Sequence, residues 1–332
     1  MPSLSPKENY LRSLRHEETE YVPVVAFIRG GDIAVTGLLN PVDRGSKNNG
    51  FRDAFGVRWE ASDSGAGATL PAPGDFILKD ITQWKKIVTI PDVEQYDWQK
   101  IVEQEAALFP FDRDRLASYF MSATSVWMRL VSLMGFEGAM IALIEEPDAV
   151  NDLFTALADY IICIAGKAAT YYKADVFVNS DDIATERNLF MSPETYRSLI
   201  KPHHRRICDA VKNLGMIPVQ HTCGYAETCI EDYIETGAAS WNTVQPSNDI
   251  AGLLDRYGDR ISLEGGFDST GKPGRPDASI EEVVVEVERC FREYGGKKGF
   301  IFMPSLIDAV QNAAEKNAAI LETANRLRFA GK

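Results

Sequence analysis

Ile217-Pro218-Val219-Gln220-His221-Thr222-Cys223-Gly224 is a short apolar run that closes on an imidazole, a thiol and a glycine. Its length and apolar content read as a buried strand, and Gly224 lets the chain turn at once. His221 and Cys223 stand two residues apart, so in an extended strand they share a face, and both are good donors to a borderline-soft metal such as zinc. A histidine packed under a helix and a cysteine filling a turn would leave the same pair without a metal. The position of the pair is what bears on the fold, because the reactive residues stand where a strand ends.

The same arrangement recurs on either side. A strand over 175–179 runs into Asp181 and Asp182, one over 239–243 into Gln245, one over 260–263 into Glu264, Gly265-Gly266 and Asp268, and one over 299–303 into Ser305. Helical patterns at 193–214, 227–236, 248–257, 280–294 and 313–329 separate and follow these strands. Upstream lie a strand over 116–122, helical segments over 126–133 and 136–144, and a long helix over 147–172 that opens on a proline, where the first amide has no intrahelical partner. Strands alternating with helices predict a parallel sheet with helical crossovers. No Gly-x-Gly-x-x-Gly and no Walker-type loop marks a doubly wound nucleotide fold. Polar groups at strand after strand instead predict a (β/α)8 TIM barrel, in which all those ends face one mouth.

The first third is less regular. An amphipathic helix over 6–16 precedes a first strand over 22–28 that ends in Arg29-Gly30-Gly31-Asp32, followed by an irregular stretch to Gly50. Residues 55–60 and 68–70 predict a β excursion, a hairpin closed before Pro71-Ala72-Pro73-Gly74 enforces a turn. Asp80 caps a helix start, and a further helix covers 98–108. The chain reads as one domain over 1–332, with the N-terminal helix, first strand and β excursion in 1–110 and regular β/α units in 111–332.

Composition narrows the function. With 332 residues, 45% of them hydrophobic, the chain can bury a large core. A formal charge of −13 argues against nucleic acid as a partner, since neutralising phosphates takes clustered Lys and Arg. The N-terminal segment has no apolar signal region and no run of about eighteen apolar residues occurs, so neither secretion nor a membrane is expected, and a cytoplasmic location is. The five cysteines are irregularly placed, which suits a reducing compartment. Cys163, Cys208, Cys229 and Cys290 fall in helical apolar patterns and read as core residues; Cys223 does not.

A catalytic zinc takes three protein ligands and an open position. No later strand end offers a second Cys or His, so the third ligand is sought among carboxylates: Asp181, Asp182, Glu264 or Glu145. Asp181 and Asp182 also read as loop or capping residues. Glu264 and Asp268 flank glycines that would let backbone approach a ligand, Arg29 could hold an anionic group, and Gln245 and Ser305 complete the substrate-facing candidates.

These residues carry a resemblance. Val178-Asn179-Ser180-Asp181-Asp182, Met191-Ser192-Pro193-Glu194, Lys201-Pro202, His221-Thr222-Cys223-Gly224, Gln245-Pro246 and Gly265-Gly266-Phe267-Asp268 resemble the uroporphyrinogen decarboxylase superfamily. So does Leu14-Arg15-His16-Glu17 ahead of Val22-Pro23-Val24. The resemblance implies a TIM barrel and one of two chemistries. Porphyrinogen decarboxylases hold substrate carboxylates on an Arg-Gln-Ala-Gly-Arg stretch and need no metal; cobamide-dependent methyltransferases bind zinc through His-x-Cys and a later cysteine. This chain has Arg29-Gly30-Gly31 in place of the first motif and His221-x-Cys223 in place of the second. Phe55-Gly56-Val57-Arg58-Trp59 and Leu78-Lys79-Asp80-Ile81-Thr82-Gln83-Trp84 further resemble the corrinoid-dependent O-demethylase branch. The later cysteine is missing from Phe302-Met303-Pro304-Ser305-Leu306, which leaves the last zinc ligand to a carboxylate.

The resemblance therefore implies a zinc-assisted methyltransferase that moves a methyl group from a small donor, an aryl methyl ether, to a corrinoid carried by a partner protein. Metal ligands would be His221 and Cys223 with Glu264, Asp182 or Glu145; Asp181, Asp182 and Glu264 are the catalytic candidates, and Arg29, Gln245, Asp268 and Ser305 would contact substrate. A polycarboxylate decarboxylase is the alternative reading, a non-catalytic binding protein the third, and homodimerisation stays open.

Overall fold

The computed structural model describes residues 2–27, 30–41, 51–61, 69–122, 124–304 and 313–329. Among them the strands are β1 (Ile33–Thr36), β2 (Trp59–Ala61), β3 (Thr69–Pro71), β4 (Ala117–Ser122), β5 (Val176–Ser180), β6 (Ile217–His221), β7 (Ser240–Val244), β8 (Ser262–Gly266) and β9 (Phe300–Met303). Seven of these form one parallel sheet in the order β1-β4-β5-β6-β7-β8-β9, and β2 pairs with β3 as a separate antiparallel hairpin. Sequential strands are neighbours because the connections carry helices long enough to cross back over the sheet.

The sheet curls around an inner face. Tyr119, Val176, Val178, Val219, Ile301 and Met303 pack there with Tyr10, Leu11 and Leu14 of the helix Pro6–Leu14. That helix lies against the N-terminal side of the strands, tied by Lys7 to Asp175 (2.8 Å) and by the Ser262 hydroxyl, which donates to the Ser13 carbonyl (2.8 Å). The outer face carries larger rings, Phe120 stacked on Phe177 at 5.6 Å and Trp241 against Tyr233, and is covered by helices. Pro147–Lys167 is one of these. With its continuation to Tyr172 it is long and apolar enough to cross a membrane, but Val150, Leu153, Phe154, Leu157, Ile161 and Ile164 are buried in the core.

Closure differs from expectation. Instead of a complete eight-stranded barrel, the structure is an open, incomplete one, with no ladder between β9 and β1 among the described residues. Among the described residues, the segment expected to be the first strand contributes a single bridge, Val24 to Phe302. Pro23 lacks an N–H and uses only its carbonyl, accepting from the Phe302 amide at 3.0 Å. On the other flank the Asp32 amide donates to the Val24 carbonyl and the Val24 amide to the Asp32 carboxylate, so a side chain replaces ladder bonds. Ile28 and Arg29 lie outside the described residues. Of the cysteines read as core, Cys208, Cys229 and Cys290 are buried, whereas Cys163 sits on an exposed helix face.

Asp181, the first residue past β5, stitches the outer layer. Its carboxylate accepts from the Trp127 and Met128 amides (3.1 and 2.8 Å) at the start of the helix Val126–Met134, whose own Ser125 makes no capping bond, and from His204 Nε2 (2.8 Å). Asp181→Ala would strand two buried amide donors, and urea unfolding should show a loss of about 2–5 kcal/mol.

His203, one residue before His204, is buried against Phe154, with Nε2 on Asn151. Burial lowers its pKa to about 4. The unfolded chain binds this proton from about pH 6.5 downwards and the folded chain only near pH 4, so stability is whole above that window and falls as pH drops through it. The expected loss is roughly 3 kcal/mol at most, and His203→Gln should flatten that part of a stability–pH curve measured by urea unfolding.

Candidate metal centre

Register fixes the site. Ser180 pairs with His221, His221 with Asn242, and Asn242 with Glu264, so four inward-facing side chains form one row across β5, β6, β7 and β8. Asp182 follows β5 two residues beyond Ser180 and Cys223 follows β6 two beyond His221, so both return to the same side. The ligand atoms of Asp182, His221 and Cys223 lie within 4.8 Å of one another.

The turn that presents Cys223 is held from below. Gly224 has φ +88°, and a Cβ there would run into the Thr185 carbonyl. Its amide donates to Gln245 Oε1 at 2.6 Å, and Asn248 bridges the Gly224 carbonyl to the Ala226 and Glu227 amides. The Cys223 amide donates to Asp182 Oδ1 at 2.8 Å, which orients the carboxylate.

Within the cluster, His221 Nε2 lies 3.6 Å from Cys223 Sγ and 3.7 Å from Asp182 Oδ1. A tetrahedral ion with bonds of about 2.0–2.3 Å spaces its ligand atoms by roughly 3.3–3.8 Å, so the two distances fit such an ion. Thiol, imidazole and carboxylate are also a donor set that zinc accepts, with one position left open. Burial pulls the His221 imidazole down, but Cys223 and Asp182 beside it outweigh burial and raise it to about 10. His221 Nδ1 faces Asn242 Oδ1 at 2.6 Å.

The other expected site residues lie elsewhere. Glu264 is buried in the lumen, where it accepts from Tyr10, Tyr119 and Asn242 (3.1, 3.1 and 2.8 Å), and burial raises its pKa. Asp181 faces the helices, as described. Glu145 ends the helix Phe136–Glu145 on the exposed surface. Asp268 closes its own turn by accepting from the Gly271 amide at 2.7 Å, and Gln245 supports the Cys223 turn. Gly265 serves close strand packing, since a Cβ there would strike Val244 backbone where β7 and β8 shift register. Arg29 and Ser305 lie outside the described residues. Cys229 is sealed in the core, and burial pushes its thiol up to about 12.

Asn242, Tyr10, Tyr119 and His204 were not among the sequence candidates. Asn242 was legible in principle, as an amide in the strand over 239–243 that a fully buried strand would have to supply with a partner.

No curated protein sequence matches the chain. Among solved structures, a methyltransferase from Methanosarcina mazei superposes with a TM-score of 0.70 at 13% identity, over 98% of this chain and 99% of the other. A D-psicose 3-epimerase from Clostridium cellulolyticum H10 reaches a TM-score of 0.42 at 10% identity, over 72% and 86%. The first likeness, at 13% identity, concerns fold alone. At the level of sequence, the family model described as Uroporphyrinogen decarboxylase (URO-D) matches residues 114–327, which include every strand from β4 to β9 and the whole Asp182–His221–Cys223 cluster. The chain belongs to the uroporphyrinogen decarboxylase family.

Proposed function

We propose that the chain is a zinc-assisted methyltransferase of this family, moving a methyl group from a small donor, an aryl methyl ether, to a corrinoid carried by a separate protein. The observation that supports it most is the Asp182–His221–Cys223 cluster at the strand ends. His221 Nε2, Cys223 Sγ and Asp182 Oδ1 would hold the ion and leave its fourth position to the donor's ether oxygen. Zinc, when bound, supplies Lewis acidity that makes the departing phenolate a better leaving group. The Cys223 amide keeps Asp182 turned toward the site, and Gln245 and Asn248 keep the Cys223 turn rigid. In this reading Asp182 takes the place of the cysteine absent near residue 305.

Decarboxylation of a polycarboxylate is the second reading, and the family's own description is what favours it. The two separate on metal and product. Release of carbon dioxide from uroporphyrinogen by metal-free protein would establish the second.

Elemental analysis of the purified chain should find about one zinc per chain, and His221→Ala/Cys223→Ala should abolish it. Asp182→Ala should weaken retention against a chelator and cut methyl transfer from an aryl methyl ether to cob(I)alamin at least about 100-fold, the scale of a lost ligand or metal-orienting contact. Zinc content unchanged by the double substitution would remove these ligands from consideration. Because Cys223 and Asp182 favour the protonated His221 imidazole in the absence of metal, zinc must displace its proton. Titration calorimetry in buffers of different ionisation enthalpy should therefore show proton release at pH 7 and weaker binding as pH falls.

A further inference from the structure

Asn242 sits between a buried carboxylate and the candidate metal ligand. Its Nδ2 lies 2.8 Å from Glu264 Oε2, 3.0 Å from the Tyr119 hydroxyl and 2.8 Å from Met303 Sδ. Its Oδ1 lies 2.6 Å from His221 Nδ1 and 3.1 Å from the Thr243 hydroxyl. The amide can take only this orientation. Turning it over would set its carbonyl against the Glu264 carboxylate and a thioether, with no donor but the tyrosine to satisfy them. Glu264 is anchored in turn, since Tyr10 donates to Oε1 and Tyr119 to Oε2, both at 3.1 Å. Tyr10, Tyr119, Asn242 and Glu264 are all fully buried.

An acceptor at Nδ1 requires a hydrogen there. The ring's other nitrogen, Nε2, faces Cys223 Sγ and Asp182 Oδ1, and its lone pair is the one that becomes available to zinc once the metal displaces the second proton. We propose that Asn242, locked by Glu264, is a positioning residue that fixes the ring orientation and tautomer of His221, so that Nε2 is the ligand atom. The inference rests on the metal reading of the site and assigns Glu264 to holding a ligand through an amide, not to coordination. It also gives the helix Pro6–Leu14 a part, because Tyr10 fastens the far end of the chain of bonds.

The test uses the full chain labelled with 15N on histidine and a long-range proton–nitrogen correlation, recorded with and without zinc. Wild type should show a slowly exchanging, low-field Nδ1-bound proton on His221 in both states, and zinc should move only the Nε2 resonance. Asn242→Ala should lose that proton signal and bind zinc about 10–100-fold more weakly, the range seen when a metal-orienting partner is removed. Glu264→Leu, which frees the amide to turn over, should do the same, whereas Glu264→Gln, which can still offer an oxygen to Asn242 Nδ2, should keep the signal. Thermal melts identify folded variants, and either Asn242→Ala or Glu264→Leu suffices. A surviving signal with wild-type zinc affinity in a folded variant overturns the inference. If wild type takes up no zinc, the metal reading fails, while the Nδ1 proton in the metal-free variants still decides whether Asn242 positions the ring.

Discussion

Strand register is the constraint on which the site depends. Ser180, His221, Asn242 and Glu264 belong to segments up to 84 positions apart, yet parallel pairing sets them side by side on the inner face. A slip of one residue in β6 would turn His221 outward toward the helices and bring Gln220 in. The slip is opposed on both faces at once: Val219 is committed to the inner core, and outward Gln220 receives Asn179 Nδ2 at 3.0 Å. The chemistry is therefore placed by the packing of residues that take no part in it.

The consecutive aspartates show how the pleat divides labour. Asp181 points to the helical layer and serves as an acceptor for a helix that brings no cap of its own; Asp182 points to the mouth and joins His221 and Cys223. Both roles need a carboxylate, for different reasons. Asp181 works by accepting several hydrogen bonds in a dry environment, and Asp182 by keeping a lone pair on an accessible oxygen. The sequence offered the pair as interchangeable, because the alternation that separates them starts from a strand end that periodicity alone locates only to within a residue or two.

More of the fold than of the site was readable from the residues. Apolar runs closing on polar groups identified β4 to β9 and their crossovers, and Pro71-Ala72-Pro73-Gly74 marked the end of the hairpin. The opening of the barrel was not readable. Residues 22–28 have strand composition, and only the pairing geometry reveals that Val24 makes a lone bridge to Phe302 and that the Asp32 side chain completes the edge. Within the site, His221 and Cys223 announce themselves by chemistry. Asp182 could be one of four carboxylates until spatial proximity selects it, and Asn242 is one of three polar residues in β7 until its partners Glu264 and His221 single it out.

Glu264 poses the sharpest energetic question. A carboxylate in the lumen of a sheet loses the hydration that would stabilise its charge, and burial raises its pKa accordingly. Three donors from three elements converge on it, which offsets part of that cost but does not by itself explain why a carboxylate is there, since an apolar side chain would fill the space at least as stably. An apolar residue would, however, leave the Asn242 amide free to present either end to His221. A carboxylate accepts and never donates, so it dictates which end of the amide faces it, and the amide dictates which nitrogen of the imidazole keeps its hydrogen. The unfavourable burial of one carboxyl group thus yields a single arrangement of the ring, with Nε2 turned toward Asp182 and Cys223.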